Sequence, residues 1–165
     1  MTYYASEEEF TALYPNAESG TYARFAWDAQ KYLDNATSGV DGVKKLQIAF
    51  PTDEDDAEAV KRCFCALISA LNDVSKIRDA MVSASGYTQT AAGVISNSVR
   101  SVSAGGESIT YGADSNADSE LTKAAKSNGE LKAYMFGIAR HYLSGVSDDN
   151  GVNLLFGGCY PKEFL

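Results

Sequence analysis

Apolar residues recur at helical spacing along three long stretches of the chain, and these stretches predict its main elements. The first forms one buried face from Tyr22, Phe25, Ala26, Ala29, Tyr32, Leu33 and Ala36. The second runs to about Ser83 and forms a seam from Val60, Phe64, Leu67, Leu71, Val74 and Met81. The third runs from about Asp118 to Leu143, with a break expected at "KSNGE", and its inner face is Leu121, Ala124, Ala125, Leu131, Met135, Ile138 and Tyr142. The second stretch is therefore expected to be the central helix, packed against antiparallel partners.

Polar residues mark where two of the helices begin. Ser6 and Glu9 have the spacing of a capping box, in which the hydroxyl and the carboxylate satisfy backbone donors, and Pro15 ends this short first helix. Thr52 is the expected N-cap of the long helix. The acidic residues 53–56 that follow it place negative charge at the positive end of the helix dipole.

The stretch "VRSVSAGGESITYG" alternates like a strand and contains a Gly-Gly turn. "VISNSVRSVS" and "ESITY" on either side of this turn predict a β-hairpin over about 94–112. An isolated hairpin is marginally stable in water, so this one is expected to need a partner surface. The apolar residues Leu154, Leu155 and Phe156 then form a tail, which either packs back on its own core or adds to a neighbour.

Together these elements predict a mainly all-α fold. We expect an antiparallel bundle of about four helices around the long central helix, with a β-hairpin inserted before the last helix and an extended C-terminal tail. A chain of 165 residues is most simply one domain. Its helical core is predicted at about 6–84 and 117–143, and its C-terminal arm at 144–165.

Charge and composition narrow the function. The net charge is −8, and no basic cluster is longer than "VKK" or "VKR", which disfavours tight binding of nucleic acid. No apolar run is long enough to cross a bilayer, and "MTYYASEEEF" has neither a basic nor an apolar signal region, so we expect no secretory signal. The odd set of Cys63, Cys65 and Cys159 is typical of reduced thiols in a cytosolic setting.

Candidate chemistry is sparse. His141 is the one histidine and has no Ser–Asp or Cys partner nearby in sequence, so a structural or surface role is favoured. "DDNG" at residues 148–151 fails the spacing of a calcium loop and is explained by a turn. We therefore expect no enzymatic activity, no cofactor and no metal site.

Five segments in chain order carry a family resemblance: "YYASEEEFTALYP", "AVKRCFCALISAL", "SVRSVSAGGESITYG", "YLSG" and "NLLFGGCY". Together they resemble tailed-phage head–tail connector proteins of the adaptor, or head completion, type. The hairpin motif of that family is met by Val102, Ser103, Gly105 or Gly106, Ser108, Ile109 and Tyr111. Its closing motif is met by Leu143, Gly145, Leu154, Leu155, Phe156 and Gly158. Two features depart from it: "VSDDNGVN" lengthens the connection, and Gly157 stands where the family usually has Arg.

The resemblance implies a structural virion protein at the neck, assembled in the host bacterial cytoplasm. Such proteins form a ring, typically dodecameric, beneath the portal. They extend the channel for double-stranded DNA, which passes without specific binding, and join the capsid to the stopper or tail-completion protein. The residues expected to contact the portal or a ring neighbour are Leu154, Leu155, Phe156, Gly157, Gly158 and Tyr160. The residues expected to contact an adjacent subunit or the downstream protein are Val99, Arg100, Val102, Ser103, Gly105, Gly106, Ser108, Ile109 and Tyr111.

Two other function classes stay open. One is a different head- or tail-completion protein, or a non-viral helical adaptor that binds a single partner. The other is a small enzyme, which would need a cleft with convergent polar groups around His141 or the acidic residues.

Overall fold

The computed structural model describes residues 3–83, 87–89, 95–97, 101–104, 107–110 and 119–165; from 82 to 110 it describes the backbone only. This part of the chain is mostly helical, which confirms the predicted class. Its residues form two compact units, one of Met1–Leu71 with Met135–Leu165 (unit 1) and one of Asn72–Tyr134 (unit 2). The prediction of one connector domain over residues 1–165 stays a prediction.

The described helices lie on both sides of the strand-containing stretch between Ser83 and Glu120. They are α1 (Glu7–Leu13), α2 (Thr21–Thr37), α3 (Lys45–Ile48), α4 (Glu54–Ser83), α5 (Glu120–Lys126), α6 (Asn128–Leu143) and a 3-10 helix at Lys162–Phe164. None of the helices in the described ranges is long and apolar enough to cross a membrane. The capping box of α1 is confirmed: the Glu9 amide donates to Ser6 Oγ at 3.2 Å, and the Ser6 amide donates to Glu9 Oε2 at 2.6 Å.

The N-cap of α4 differs from the prediction. Asp53, not Thr52, performs the capping, because Asp53 Oδ1 accepts hydrogen bonds from the amides of Asp55 and Asp56, both at 3.1 Å. The Thr52 hydroxyl instead donates to a carboxylate oxygen of Asp149. Asp56 Oδ2 accepts from the Ser147 amide at 3.0 Å, so the acidic residues at the start of α4 serve both the helix end and a neighbouring turn.

The middle of α4 is the core of unit 1. Residues 63–68 are all buried, so this part of the helix has no solvent face. A helix that is buried all round is surrounded by other elements; the antiparallel bundle expected around it stays a prediction. Of the predicted seam, Met81 alone is only half-buried.

The last helical stretch is interrupted where the sequence indicated. Ser127 separates α5 from α6 and acts as the C-cap of α5. The buried positions of α6 are Leu131, Met135, Ala139 and Leu143, whereas the predicted core residues Ile138 and Tyr142 are half-buried. The buried residues of α6 are therefore spaced four apart. In its C-terminal half they lie one position after the residues predicted to be buried.

In unit 2, Arg78 of α4 caps the end of α5. Arg78 Nε donates to the Ala125 carbonyl oxygen at 2.9 Å, and one terminal guanidinium nitrogen donates to the Ala124 carbonyl at 3.3 Å and to Asn128 Oδ1 at 3.1 Å. The last carbonyls of a helix have no partner within it, so a cation at this end satisfies them and complements the dipole.

Unit 2 also holds two short antiparallel strand pairs. β1 (Tyr87–Gln89) pairs with β2 (Ile95–Asn97), and β3 (Ser101–Ala104) pairs with β4 (Glu107–Thr110). The sequence pattern treated "VISNSVRSVS" as one strand, but its two halves belong to different pairs. The β3–β4 register places Val102 opposite Ile109 and Ser103 opposite Ser108.

Candidate interaction surface

The C-terminal segment packs against the rest of unit 1, the first of the two alternatives left open by its sequence; a contact of its exposed residues with a neighbour stays a prediction. Leu154 is fully buried, and Tyr160 is 2% exposed. The Leu154 amide donates to the Val146 carbonyl at 3.0 Å, and the backbones of Ser147 and Asn153 pair in an isolated antiparallel β-bridge. Residues 146–154 thus form a closed turn beyond α6.

Asp148 organises this turn. Its Oδ1 accepts hydrogen bonds from the amides of Asn150 at 3.0 Å and Val152 at 2.8 Å. Its Oδ2 accepts a hydrogen bond from the Tyr160 hydroxyl at 2.6 Å, and Asn150 Nδ2 donates to the same hydroxyl at 3.0 Å. Burial, followed by the contact with Asp148, raises the pKa of Tyr160, so the phenol stays protonated and keeps donating. The "DDNG" string is a turn, as predicted.

A buried lysine joins the tail to the N-terminal part of unit 1. Lys45, at the start of α3, has no exposed surface. Its Nζ donates to the backbone carbonyls of Asn153 (3.1 Å), Leu154 (3.1 Å) and Phe156. An ammonium group has three protons, so all three are used. Burial lowers the pKa of Lys45, while the charges of Asp148 and Asp41 oppose that shift.

The loop that precedes α3 makes a second set of contacts with the tail. The Val40 amide donates to the Gly157 carbonyl at 3.1 Å. Asp41 accepts from the Tyr160 amide at 2.6 Å and from the Val43 amide at 3.1 Å, and these N–H groups lower the pKa of the Asp41 carboxyl. The two segments are thus connected at several points.

Apolar side chains remain exposed where these segments meet. Val40 is 81% exposed and Phe156 is 54% exposed, and the backbones of the two segments are joined through Gly157. Phe164 and Leu165 are exposed in the last turn of the chain. We call Val40 and Phe156 the C-terminal surface. The Phe156 ring centroid lies 5.7 Å from Lys45 Nζ, so the same cation contacts both the backbone and the ring of this segment.

The structure separates the predicted tail residues by exposure. Leu154 and Tyr160 are core residues of unit 1, Leu155 and Gly158 are half-buried, and Phe156 and Gly157 are exposed. Of this predicted set, the Phe156 side chain is therefore the one most available to a partner.

None of the predicted hairpin residues has a described side chain. Val102, Ser103, Ser108 and Ile109 lie in β3 and β4, where the backbone is described. The remaining residues of this set lie outside the described ranges: Val99, Arg100, Gly105, Gly106 and Tyr111. Their role in an interface stays a prediction.

Two residues that hold the tail were missed by sequence reasoning. Lys45 and Asp41 both bind backbone groups of residues more than 100 positions away. A backbone carbonyl or amide looks the same for every residue type, so no sequence pattern marks such a contact. "VKK" read only as a short basic stretch, and "SGVDG" only as a loop.

The structure also places the residues considered as catalytic or metal-binding candidates. His141 is exposed, and its nearest aromatic contact is the ring of Tyr142 at 5.4 Å. Among the residues with described positions, no group of three or more His, Cys, Asp or Glu side chains could hold a metal ion.

Comparison with protein-family models, with curated proteins and with solved structures finds no match to this chain.

Proposed function

We propose that this chain is a structural virion protein, a head–tail connector whose copies form a ring under the portal of a tailed phage. The ring extends the DNA channel and joins the capsid to the stopper or tail. The proposal rests on the family resemblance of the sequence segments. One structural observation supports it: exposed Phe156 and Val40 lie on segments that are fixed to unit 1 by Lys45 and Asp41.

Fixing an apolar surface before binding favours association. An interface side chain that is already ordered loses less conformational entropy when its partner arrives. The hydrogen bonds of Lys45 and Asp41 hold the backbone around Phe156 and Val40, so the C-terminal surface is presented in one arrangement. This surface is the proposed contact with the portal.

The ring then acts through repetition. A weak contact made by one subunit becomes strong around a ring, because each bound subunit raises the effective concentration of the next contact. Head-to-tail contacts close only if the rotation per subunit fits the ring. The portal, which is itself a ring, would supply that geometry as a template.

The strand region is the proposed second contact. In the proposed connector, each subunit is an antiparallel bundle of about four helices around α4. The hairpin that precedes the last helix packs against an adjacent subunit or the downstream protein. A short strand pair gains stability from a partner surface. The net charge of −8 is compatible with a channel through which DNA slides, because an acidic surface repels the DNA phosphates and does not bind them.

Electron microscopy of the protein mixed with portal rings tests the proposal. Deleting residues 153–165 is a poor variant for this purpose, because it removes buried Leu154 and Tyr160 and would unfold unit 1. Phe156→Ser removes an exposed ring and keeps the backbone carbonyl that Lys45 binds. Leu13→Ser, at an exposed apolar residue of α1, is the matched control. We expect portal binding to be lost in the first variant and kept in the second; equal binding by both would exclude Phe156 from the contact.

A further inference from the structure

The solvent-facing side of α2 carries a tryptophan between two basic residues. Trp27 is the one tryptophan of the sequence and is 50% exposed. Arg24 and Lys31, three residues before and four residues after it, are also exposed, so the three side chains share one side of the helix. Asp28 lies at the edge of this side. Aromatic residues and arginine are enriched in protein interfaces, so this side of α2 is a candidate contact surface.

Trp27 and Lys31 present an aromatic ring and a positive charge together. Lys31 Nζ lies 3.9 Å from the centroid of the Trp27 ring, in a cation–π contact. Within the described part of the chain, Lys31 is in no salt bridge, whereas Lys44, Lys61 and Arg62 each pair with a carboxylate. The charge of Lys31 is therefore available to an acidic partner.

A groove elsewhere on unit 1 has the complementary chemistry. It lies between α1 and the start of α2 and has a volume of about 270 Å³. Its lining includes the carboxylates Glu7 and Glu18 and the rings of Phe10, Tyr14 and Tyr22, and the described residues that line it include no basic one. Glu7 is exposed and forms no salt bridge with a described residue. The groove thus offers negative charge beside aromatic rings.

The groove and the exposed side of α2 face in different directions. Tyr22 of α2 lines the groove, and its ring centroid lies 6.1 Å from that of Phe10 in α1. Trp27 is five positions after Tyr22, which places it about 140° around the helix, and Lys31 lies about 180° around it. These two residues therefore point away from the groove of their own copy. A contact between two copies would be head-to-tail and would leave a groove at one end and a Trp27 at the other.

We propose that Trp27 and Lys31 of one copy dock into the α1–α2 groove of a second copy. The indole ring packs on the aromatic wall of Tyr14 and Tyr22, and the ammonium group pairs with Glu7. A second copy is the occupant that the charges favour, because the chain itself carries both halves of the match: a cation held on a ring, and carboxylates beside rings. The proposal does not rest on the portal contact.

Sedimentation equilibrium and Trp27 fluorescence, measured over the same range of protein concentration, test the contact. Because Trp27 is the one tryptophan, the emission of the protein reports the surroundings of this ring alone. We expect the mean mass to rise and the emission to move to shorter wavelength with the same midpoint, as the ring leaves water. A protein that stays monomeric up to about 1 mM, or a rise in mass with unchanged emission, would overturn the proposal.

Charge reversals test the pair. Lys31→Glu and Glu7→Lys each place like charges together, so each should raise the dissociation constant about tenfold. The double variant restores an opposite pair and should return to within about threefold of the wild type. Glu8→Lys makes the same change of charge at an exposed position of α1 that does not line the groove, and should change the constant by less than about twofold. A double variant as weak as the single ones would overturn the pairing of Lys31 with Glu7.

Trp27→Ala separates this proposal from the connector function. Removing a central tryptophan should raise the dissociation constant of self-association at least about 30-fold. If Trp27→Ala still self-associates and stacks on portal rings as the wild type does, the contact is overturned and the connector function stands. If the wild type self-associates with buried Trp27 but leaves portal rings bare, the contact is upheld and the connector function is contradicted.

Discussion

The ammonium group of Lys45 donates a hydrogen bond to the backbone carbonyl of Leu154 at 3.1 Å, across 109 positions of sequence. The same group also binds the carbonyls of Asn153 and Phe156. A single buried cation therefore fixes the part of the tail that carries the C-terminal surface. The first prediction follows from the cost of removing this cation.

Replacing Lys45 with Met should destabilise the protein by about 2–4 kcal/mol, because three backbone carbonyls lose their hydrogen-bond donor. Met also removes the free-energy cost of burying a charge, but this gain is smaller than the loss of the hydrogen bonds. Urea denaturation followed by circular dichroism measures the change. Lys162→Met removes the same charge from an exposed position and should cost less than about 0.5 kcal/mol. If the two variants are equally stable, Lys45 does not hold the tail.

A pair of glycine substitutions tests the close approach of the loop to the tail. A Cβ at Gly39 would overlap the backbone carbonyl oxygen of Gly158, so Gly39→Ala requires the backbone to move and should destabilise by about 1–3 kcal/mol. Gly137 lies inside α6 with open space around it, so Gly137→Ala should stabilise by up to about 1 kcal/mol. Thermal unfolding of both variants checks these opposite signs. A neutral Gly39→Ala would mean that the two segments are farther apart than described.

Acid should weaken the contact between α1 and α4. The hydrogen bond from Lys61 lowers the pKa of Glu9 from its ordinary value of 4.5. As pH falls, Glu9 of the unfolded chain therefore takes up its proton before Glu9 of the folded protein. The stabilisation by the Glu9 carboxylate is present above pH 4.5 and is lost as pH falls through the lower pKa of the folded state. Gln can keep the capping box without the charge.

The free energy of unfolding of Glu9→Gln should therefore be below that of the wild type at pH 7, and the gap should close as pH falls below 4.5. Glu8→Gln, at the neighbouring exposed position, is the control. A gap that stays constant with pH would show that the Glu9 charge adds nothing to stability.

The three thiols should differ sharply in reactivity. Cys63 and Cys65 are fully buried in α4, and burial raises the pKa of Cys63 to about 12 and that of Cys65 to about 11. Cys159 is exposed. Because the thiolate is the reactive form, a disulfide reagent such as Ellman's should modify one thiol rapidly in the native protein and all three after denaturation. Cys159→Ser should remove the rapid phase; a remaining rapid phase would contradict the buried placement of α4.

Local signals explain what the sequence predicted well. The capping box of Ser6 and Glu9, the stripe along α2, the long α4 and the break at Ser127 each depend on neighbours within a few residues. Short elements and non-local contacts were missed. α3 has only four residues, too few for a periodic pattern, and its Lys45 is buried through contacts with distant carbonyls.

The candidate interface was predictable only in part. Apolar residues of the tail were recognised, but a run such as Leu154, Leu155 and Phe156 does not show which side chain faces the core. The structure buries the first and exposes the third. Val40 belongs to the same surface, but its sequence neighbours predict only a loop. Its contact could not be predicted, because its partner, Gly157, is far away in sequence.

The most direct measurement of the central proposal is electron microscopy of this protein mixed with purified portal rings from the same phage. We expect a second ring stacked coaxially on the portal, with the C-terminal surface around Phe156 at the contact. Portal rings that stay bare at high protein concentration, with this protein monomeric, would contradict the connector function.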